Sequence, residues 1–458
     1  MKYTFSVIIT ILILTSVLVR AQQEIPGETT YLSPAVTETV RDIMARQLIA
    51  NPIIQREAEK DLHYPDRHFL PVNPNSPLVS QTGASTDIKQ QSNVTTTLTK
   101  GVNFTAASFA NATALTLYVP PDNMGAVGPT QYILAINSRI TTFNKTTGVA
   151  DGVLNASLDV FFTSVETQVS GAAAGTSDPH IRYDRLSKRW IMDIIDIPST
   201  ANRILVAVSS DSVITASTTW KFFYYQVSGG WCDYPTLGID ANALYIGGNL
   251  FNTAGTALLG TIGLVVQKSS VLGTGSIVCT KYTLGAASSG IYTPQGVDQL
   301  FDPSATEGYF IGTGNGTTGV LYLYRVTNPG STSPTMSSAI TLTVPATAAP
   351  GTLYSKGCTY NIDPDDDRLF AAMIRNGHLW TAHHIETTNA GVGSSSGTRI
   401  SARWYDIINY KTGSTPALNQ SGTVYSSALT TTRDKNYNYP TITVNGQGHA
   451  LMGFDQTG

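Results

Sequence analysis

Cysteine is scarce in this chain of 458 residues: Cys232, Cys279 and Cys358 are all it has. Three thiols exclude the dense disulfide framework on which small secreted domains depend, and one must stay unpaired within the chain. Charge is scarce too. Asp, Glu, Lys and Arg make up 13% of residues, 28 basic against 31 acidic, for a formal net charge of −3. So thin and balanced a charge argues against nucleic acid or an anionic membrane as partner. Beyond residue 20 no apolar run approaches the ~20 residues that cross a bilayer as a helix, so the mature chain should have no transmembrane segment. Motifs that announce chemistry are missing as well. The sequence has no G-x-S-x-G, no EF-hand register and no zinc-ligand spacing, and nothing in it implies a cofactor or a metal.

The first residues point to a compartment. Lys2 precedes the uncharged apolar run Phe5 to Val19, and Val19-Arg20-Ala21 offers a cleavage site before Gln22. That is the pattern of a secretory signal peptide, so residues 1–21 are expected to be removed and the protein to be secreted or held at the cell surface. Sequons at Asn93, Asn103, Asn111, Asn144, Asn155, Asn315 and Asn419 become glycans only where the host has the machinery.

Residues 22–118 read as an extension. Ser33 and Pro34 open a helical pattern carried by Val40, Ile43, Met44 and Leu48 to about Leu62, which Pro52 should split. From Tyr64 to Lys100 prolines 65, 71, 74 and 77 and then polar residues read as a linker. So polar a stretch has little to bury, and a mobile extension is expected rather than a pro-segment or a packed arm.

From residue 119 to 458 the chain is rich in Gly, Thr, Ser and Tyr, the composition of short strands and tight turns, and it repeats. Pro179 to Asp184, Pro235 to Asp240 and Pro440 to Asn445 share a proline, apolar residues two and four positions later, then Asp or Asn. Cys358 to Asp363 repeats the pattern with Cys for Pro, Val297 to Asp302 more loosely, and Asn123 to Gly128 most weakly. A second apolar strand follows each: Trp190–Ile195, Leu244–Gly248, Tyr309–Gly312, Leu369–Ile374 and Ala450–Phe454. The terminal residues Gly128, Asp184, Asp240, Asp302, Asp363 and Asn445 lie 56, 56, 62, 61 and 82 apart, the last interval fitting a Gly/Ser/Thr-rich insertion near 387–398. A long period holding four strand-like segments predicts an all-β fold, a β-propeller of six or seven four-stranded blades. Five blades and part of a sixth fit before Gly458, so the ring is expected to be cut short here.

The segments PPDNMGAVGPTQYILAINSRITTFNKTTG (120–148), SDPHIRYDRLSKRW (177–190), ILVAVSSDSVITASTTWKFFYYQ (204–226), DYPTLGIDANALYIGGNLF (233–251), HLWTAHH (378–384) and RWYDI (403–407) resemble a large group of secreted, mostly uncharacterised β-propeller proteins, mainly bacterial. Ser210-Asp211 to Trp220 is also similar, at a distance, to the Asp-box of sialidase-type propellers, though its Asp-to-Trp interval is longer and the Gly is absent. The resemblance implies secretion, a propeller and further sequence beyond residue 458. It implies no activity.

In a propeller the innermost strands begin at the mouth of a central channel, where ligand sites collect. The repeat puts Asp178, His180, Asp233, Tyr234, Gln295, Lys356 and Tyr439 there as candidate ligand-binding residues. Carboxylates, an imidazole and phenols round one funnel suit a glycan or protein ligand, so a binding or scaffold module is the favoured function. The alternative is a glycosidase-like enzyme using mouth carboxylates, with Asp178 and Asp233 the pair to inspect first. Asp363-Pro-Asp-Asp-Asp367 reads as a turn. His383 and His384, neighbours on a strand, should point to opposite faces and share no metal.

Overall fold

The computed structural model describes residues 23–50, 62–78, 101–108, 120–352, 363–427 and 435–457, with the backbone alone of 56–57, 85–86, 118–119, 353–354 and 361–362. Residues 1–22, Lys356 and Cys358 lie outside the described residues. The unit of the structure is a four-stranded antiparallel meander. The first is Met124–Val127, Gln131–Ile136, Arg139–Asn144 and Ala150–Ser157. The second is Thr176–Asp184, Arg189–Asp196, Arg203–Ser209 and Thr219–Gln226. The third is Trp231–Ile239, Ala243–Phe251, Leu258–Gln267 and Ile277–Ala286. A fourth starts with Ser289–Gly296, Glu307–Gly314 and Val320–Thr327, then splits its outer edge between Thr335–Ser337 and Ile340–Thr343. The fifth is Ala371–Arg375, His378–Thr387, Arg399–Ile408 and Ala417–Tyr425. The hairpin Asn436–Val444 with Ala450–Thr457 follows it.

These sheets stack face to face, which is why their strands are apolar on both sides. Leu205 and Ala207 join Trp190, Met192 and Ile194 in a core shared with Ile133 and Ile140 of the first sheet. The alternating residues Ile204, Val206 and Val208 turn the other way, onto Leu237, Leu244 and Ile262 of the third. A period of two is present, but both phases are buried. The terminal residue of the repeat is a turn cap. Asp240 Oδ1 accepts the amides of Asn242 and Ala243 at 2.6 and 2.8 Å, and Asn445 Oδ1 those of Gln447 and His449 at 2.9 and 3.0 Å.

Two copies of the repeat sit elsewhere than the sequence places them. The innermost strand of the fourth sheet carries Thr293-Pro294, not Val297 to Asp302, and Asp302 caps a turn beyond it. In the fifth sheet the expected second strand is the first: Ala371–Arg375 pairs with His378–Thr387, whereas Asn361–Ile362 pairs back onto Leu353–Tyr354. The cause is Asn376-Gly377, with φ of 52° and 80°, a two-residue hairpin that closes Arg375 against His378.

The extension also departs from expectation. Val36–Thr39 is a strand on the outer edge of the second sheet, Gly27–Leu32 one on the third, and Glu24–Ile25 one on the fourth. Exposed sheet edges seek partners, and these segments supply them. The helix is only Val40–Ile49. Thr39, not Ser33, caps it, its hydroxyl accepting the Asp42 amide at 3.1 Å, while Val40 and Ile43 are buried in the first core. Among the described residues no helix is long and apolar enough to cross a membrane. Cys232 in the first strand of the third sheet and Cys279 in its fourth are buried free thiols.

The innermost strands meet at Asp298. Its carbonyl accepts the Ile374 amide at 2.7 Å and its amide donates to Ala372 at 3.0 Å, both in the fifth sheet. One carboxylate oxygen accepts the Ile239 amide of the third sheet at 3.0 Å; the other takes Arg182 Nε of the second at 2.7 Å. Asp298→Ala should cost about 3–5 kcal/mol, because it strands Arg182 and a buried amide. Urea denaturation would register this as a lower midpoint; an unchanged midpoint would show that the strands are held elsewhere.

Candidate functional site

Residues from the first strands of the first, second, third and fifth sheets and from the last hairpin line one cavity of about 1920 Å³. A backbone irregularity recurs where the first strands begin. Asp178, Tyr234, Thr293 and Tyr439 each precede a proline and have φ of 59°, 51°, 43° and 50°. The left-handed region is uncommon for any residue but glycine and costs of order 1–3 kcal/mol. At each site the pairing skips two residues: between Ser177 and His180, Asp233 and Thr236, Tyr292 and Gln295, and Asn438 and Thr441. Such bulges re-aim side chains.

Each strained amide is held by a side chain from the preceding sheet. Asp178 N donates to Asn137 Oδ1 at 2.7 Å, Tyr234 N to Asp178 Oδ2 at 3.2 Å, Thr293 N to Asn249 Oδ1 at 3.2 Å, and Tyr439 N to His384 Nδ1 at 3.0 Å. The conformation of each mouth therefore depends on its neighbour.

Of the sequence candidates, Asp178, His180, Asp233, Tyr234 and Tyr439 line the cavity together. Gln295 does not. It is buried behind the bulge, its amide donating to Thr293 O at 3.3 Å. His383 and His384 are spent on the backbone: His383 Nδ1 meets Asp367 O at 2.7 Å and Nε2 the Tyr405 hydroxyl at 2.9 Å, and His384 Nε2 meets Asp366 O at 2.8 Å. Among the described residues no group of three or more His, Cys, Asp or Glu is disposed to hold a metal ion.

Sequence reasoning missed the centre of the site. Arg368 grips Asp366 through Nε at 2.8 Å and Nη2 at 2.6 Å, reaches Asp365 at 3.0 Å, and lies 4.4 Å over the Tyr234 ring. It also missed the strap. Leu62 to His68 of the extension line the cavity, and the chain beyond them lies against the fourth sheet, where Thr318 N donates to Pro71 O at 3.0 Å and Asn73 N to Thr318 O at 2.9 Å. The Tyr64 hydroxyl donates to Asp233, and Asn249 Nδ2 donates to Tyr64 at 3.3 Å. Arg67, 3% exposed, pairs with Asp367 at 2.8 Å, donates to Gly314 O at 2.9 Å and stacks 3.9 Å over Tyr292. The run His63-Tyr64-Pro65-Asp66-Arg67 was its only sequence signal, an aromatic and charged patch in a proline-broken stretch.

The carboxyls differ in their ionisation. Burial raises Asp233 to about 6, against the Tyr64 hydrogen bond and Arg368, which lower it. Burial would raise Asp366 too, but Arg368 and then Arg67 outweigh it and hold that carboxyl far below the usual range. One acid is thus protonated in mildly acidic solution while its neighbour stays charged.

No protein-family model and no curated protein matches the sequence. Among solved structures it superposes on an α-L-arabinanase of Penicillium chrysogenum at 10% identity and TM-score 0.35, over 74% of this chain and 94% of that one. A subtype N10 neuraminidase-like protein of A/little yellow-shouldered bat/Guatemala/060/2010 gives 7% and 0.37, over 73% and 91%. An α-L-arabinofuranosidase from Fusarium graminearum gives 8% and 0.32, over 73% and 92%. At such identities and scores the likeness fixes neither the arrangement of the sheets nor an activity.

Arg67→Ala removes the cation from a buried pair and leaves Asp367 uncompensated, so a loss of about 3–5 kcal/mol is expected. Arg67→Lys should recover only part of it, because a lysine cannot reproduce the forked contacts. Equal stability of the two variants in guanidinium unfolding would refute that account.

Proposed function

We propose that the successive sheets are blades about one axis, and that the cavity is their central channel, a site for an extracellular glycan whose glycosidic bond it cleaves. Support for the ring comes from first strands that lie side by side through Asp298 while their sheets stack face to face. Support for a sugar ligand comes from carboxyls, phenols and an arginine converging from several sheets on one concave wall. Hydroxyl-rich ligands need such acceptors and donors, and aromatic faces cover their apolar C–H surfaces.

The observation that carries the catalytic reading is the split between Asp233 and Asp366, two carboxyls of one cavity. Glycoside hydrolysis needs one protonated carboxyl to give a proton to the leaving oxygen and one carboxylate to act on the sugar or on water. Asp233 fits the acid. Asp366 is spent on Arg368, so Asp365, whose side chain is 40% exposed, or Asp178 is the carboxylate. The second reading, a module that binds glycans without cleaving them, is favoured by the Tyr64 hydroxyl resting on Asp233.

A polysaccharide panel and a glycan array on the secreted protein separate the two. Cleavage should proceed below pH 6 and fall as the pH rises through about 6, where Asp233 loses its proton. Asp233→Asn should reduce it by about 10²–10⁴ while array binding persists. Binding without cleavage by the wild type would establish the second reading; neither binding nor cleavage would refute both.

A further inference from the structure

His180 and Asp193 face each other across the first two strands of the second sheet as direct register partners. Side chains opposite each other in an antiparallel pair project from the same face, with Cβ atoms about 5 Å apart. His180 is 2% exposed and lines the cavity; Asp193, 0% exposed, lies one strand farther out. Neither ring nitrogen of His180 and neither carboxyl oxygen of Asp193 is within hydrogen-bond geometry of any partner, each other included, although the Asp178 backbone beside the ring favours its protonated form. Leaving four buried polar atoms unsatisfied is costly, and native interiors seldom tolerate it. The corresponding register pairs of the other sheets are Thr236 with Gly247, Gln295 with Ile311, and Thr441 with Gly453. None of those combines an acid with an imidazole.

The bulge at Asp178-Pro179 immediately precedes His180 and sets where its ring points. We propose that Asp193 is a positioning residue for His180: its carboxyl donates to one ring nitrogen and so turns the other, which carries the ring proton, to the cavity as a donor to a ligand hydroxyl oxygen. The ligand class is a neutral sugar or polyol, which deepens the glycan reading above and rests on it for the ligand alone.

The charges around the pair agree with a neutral dyad. Burial lowers His180 to about 3 and raises Asp193 to about 8, so near neutrality the acid keeps its proton and the ring is neutral. Arg182 lies close to both, but its Nε is committed to Asp298. Tyr234 packs edge-on against the ring at 5.7 Å, and Cys232, a thiol that burial keeps protonated, lies on the Asp193 side. A protonated carboxyl is a donor and a neutral imidazole has one acceptor and one donor nitrogen, so a single hydrogen bond selects the tautomer.

The test is ¹⁵N-histidine NMR of the intact protein at pH 5–7, with Asp193→Leu and Asp193→Asn beside wild type. One neutral tautomer of His180 should dominate in wild type by about tenfold, the worth of one hydrogen bond. The preference should collapse in Asp193→Leu and survive in Asp193→Asn, whose amide can still donate. An apolar residue in place of a buried acid is compatible with folding, and the amide variant reads the same signal if it is not. A His180 spectrum unchanged in Asp193→Leu overturns the proposal. On an array of immobilised oligosaccharides, His180→Phe should lose about tenfold or more of the wild-type signal; retention of full signal overturns the ligand half. If wild type binds no array glycan, the glycan reading fails while the tautomer result stands.

Discussion

The architecture turns on Asp298. Two residues past the first strand of the fourth sheet, it ties that sheet to the first strands of the third through Ile239, the fifth through Ala372 and Ile374, and the second through Arg182. Its backbone does what any strand residue can do for one neighbour. Its carboxylate does what no backbone can, reaching two further sheets at once. Burial raises this carboxyl, and Arg182 together with the Ile239 amide draws it back. A buried acid this well satisfied fixes geometry more than it adds stability, because its desolvation consumes most of the attraction. Face-to-face packing can slide by a residue; a hub with four directional contacts cannot.

The same logic operates at the other end of the strands. Four pre-proline residues are forced to positive φ, and each is held by a donor–acceptor contact with the sheet before it. Strain kept at a cost of order 1–3 kcal/mol per residue persists only where surroundings overdetermine it. Here the surroundings are the adjacent sheets, so sheet packing and the shape of the mouth are one constraint. Asp178 belongs to both sides of it, strained itself and holding Tyr234. That is why a glycan site would sit there: the bulges turn side chains that would otherwise face neighbouring sheets toward a common space.

Much of this was legible in the sequence, for identifiable reasons. Copies of the repeat that end in an Asp or Asn caught the second, third and last sheets, since the turn cap is local chemistry. The fourth and fifth failed where that logic gives way. At Thr293-Pro294 the apolar positions are taken by Gly296 and Asp298, because Asp298 serves the hub and Gly296 lies where a Cβ would strike the Tyr245 backbone. At Asn376-Gly377 the turn closes by positive φ and needs no capping carboxylate; the Asn-Gly dipeptide was the signal to read. Five mouth residues follow from register alone and meet in one cavity. Arg368, Tyr64 and Arg67 do not, since their roles depend on contacts up to 300 positions away.

The extension shows why composition misled. Residues 62–78 are broken by prolines 65, 71, 74 and 77, so the sequence predicts no regular element to hold them. What secures them is a buried cation: Arg67 takes Asp367, Gly314 and the Tyr292 face, and no part of that pocket exists until the fourth and fifth sheets are in place. Tyr64 likewise needs Asp233 and Asn249 of the third sheet. The strap can dock only on a formed scaffold, and once docked it changes the scaffold's chemistry. Enclosure is the leading reason that the Asp233 carboxyl rises to about 6, and the Tyr64 hydroxyl, donating to it, holds it below where enclosure alone would put it. A carboxyl whose folded value exceeds its unfolded one stabilises the fold fully only at low pH, and that contribution fades as the pH climbs through 6. The acidity that would serve catalysis is therefore set by two opposed effects, the enclosure that raises the Asp233 carboxyl and the hydroxyl of a distant segment that draws it back.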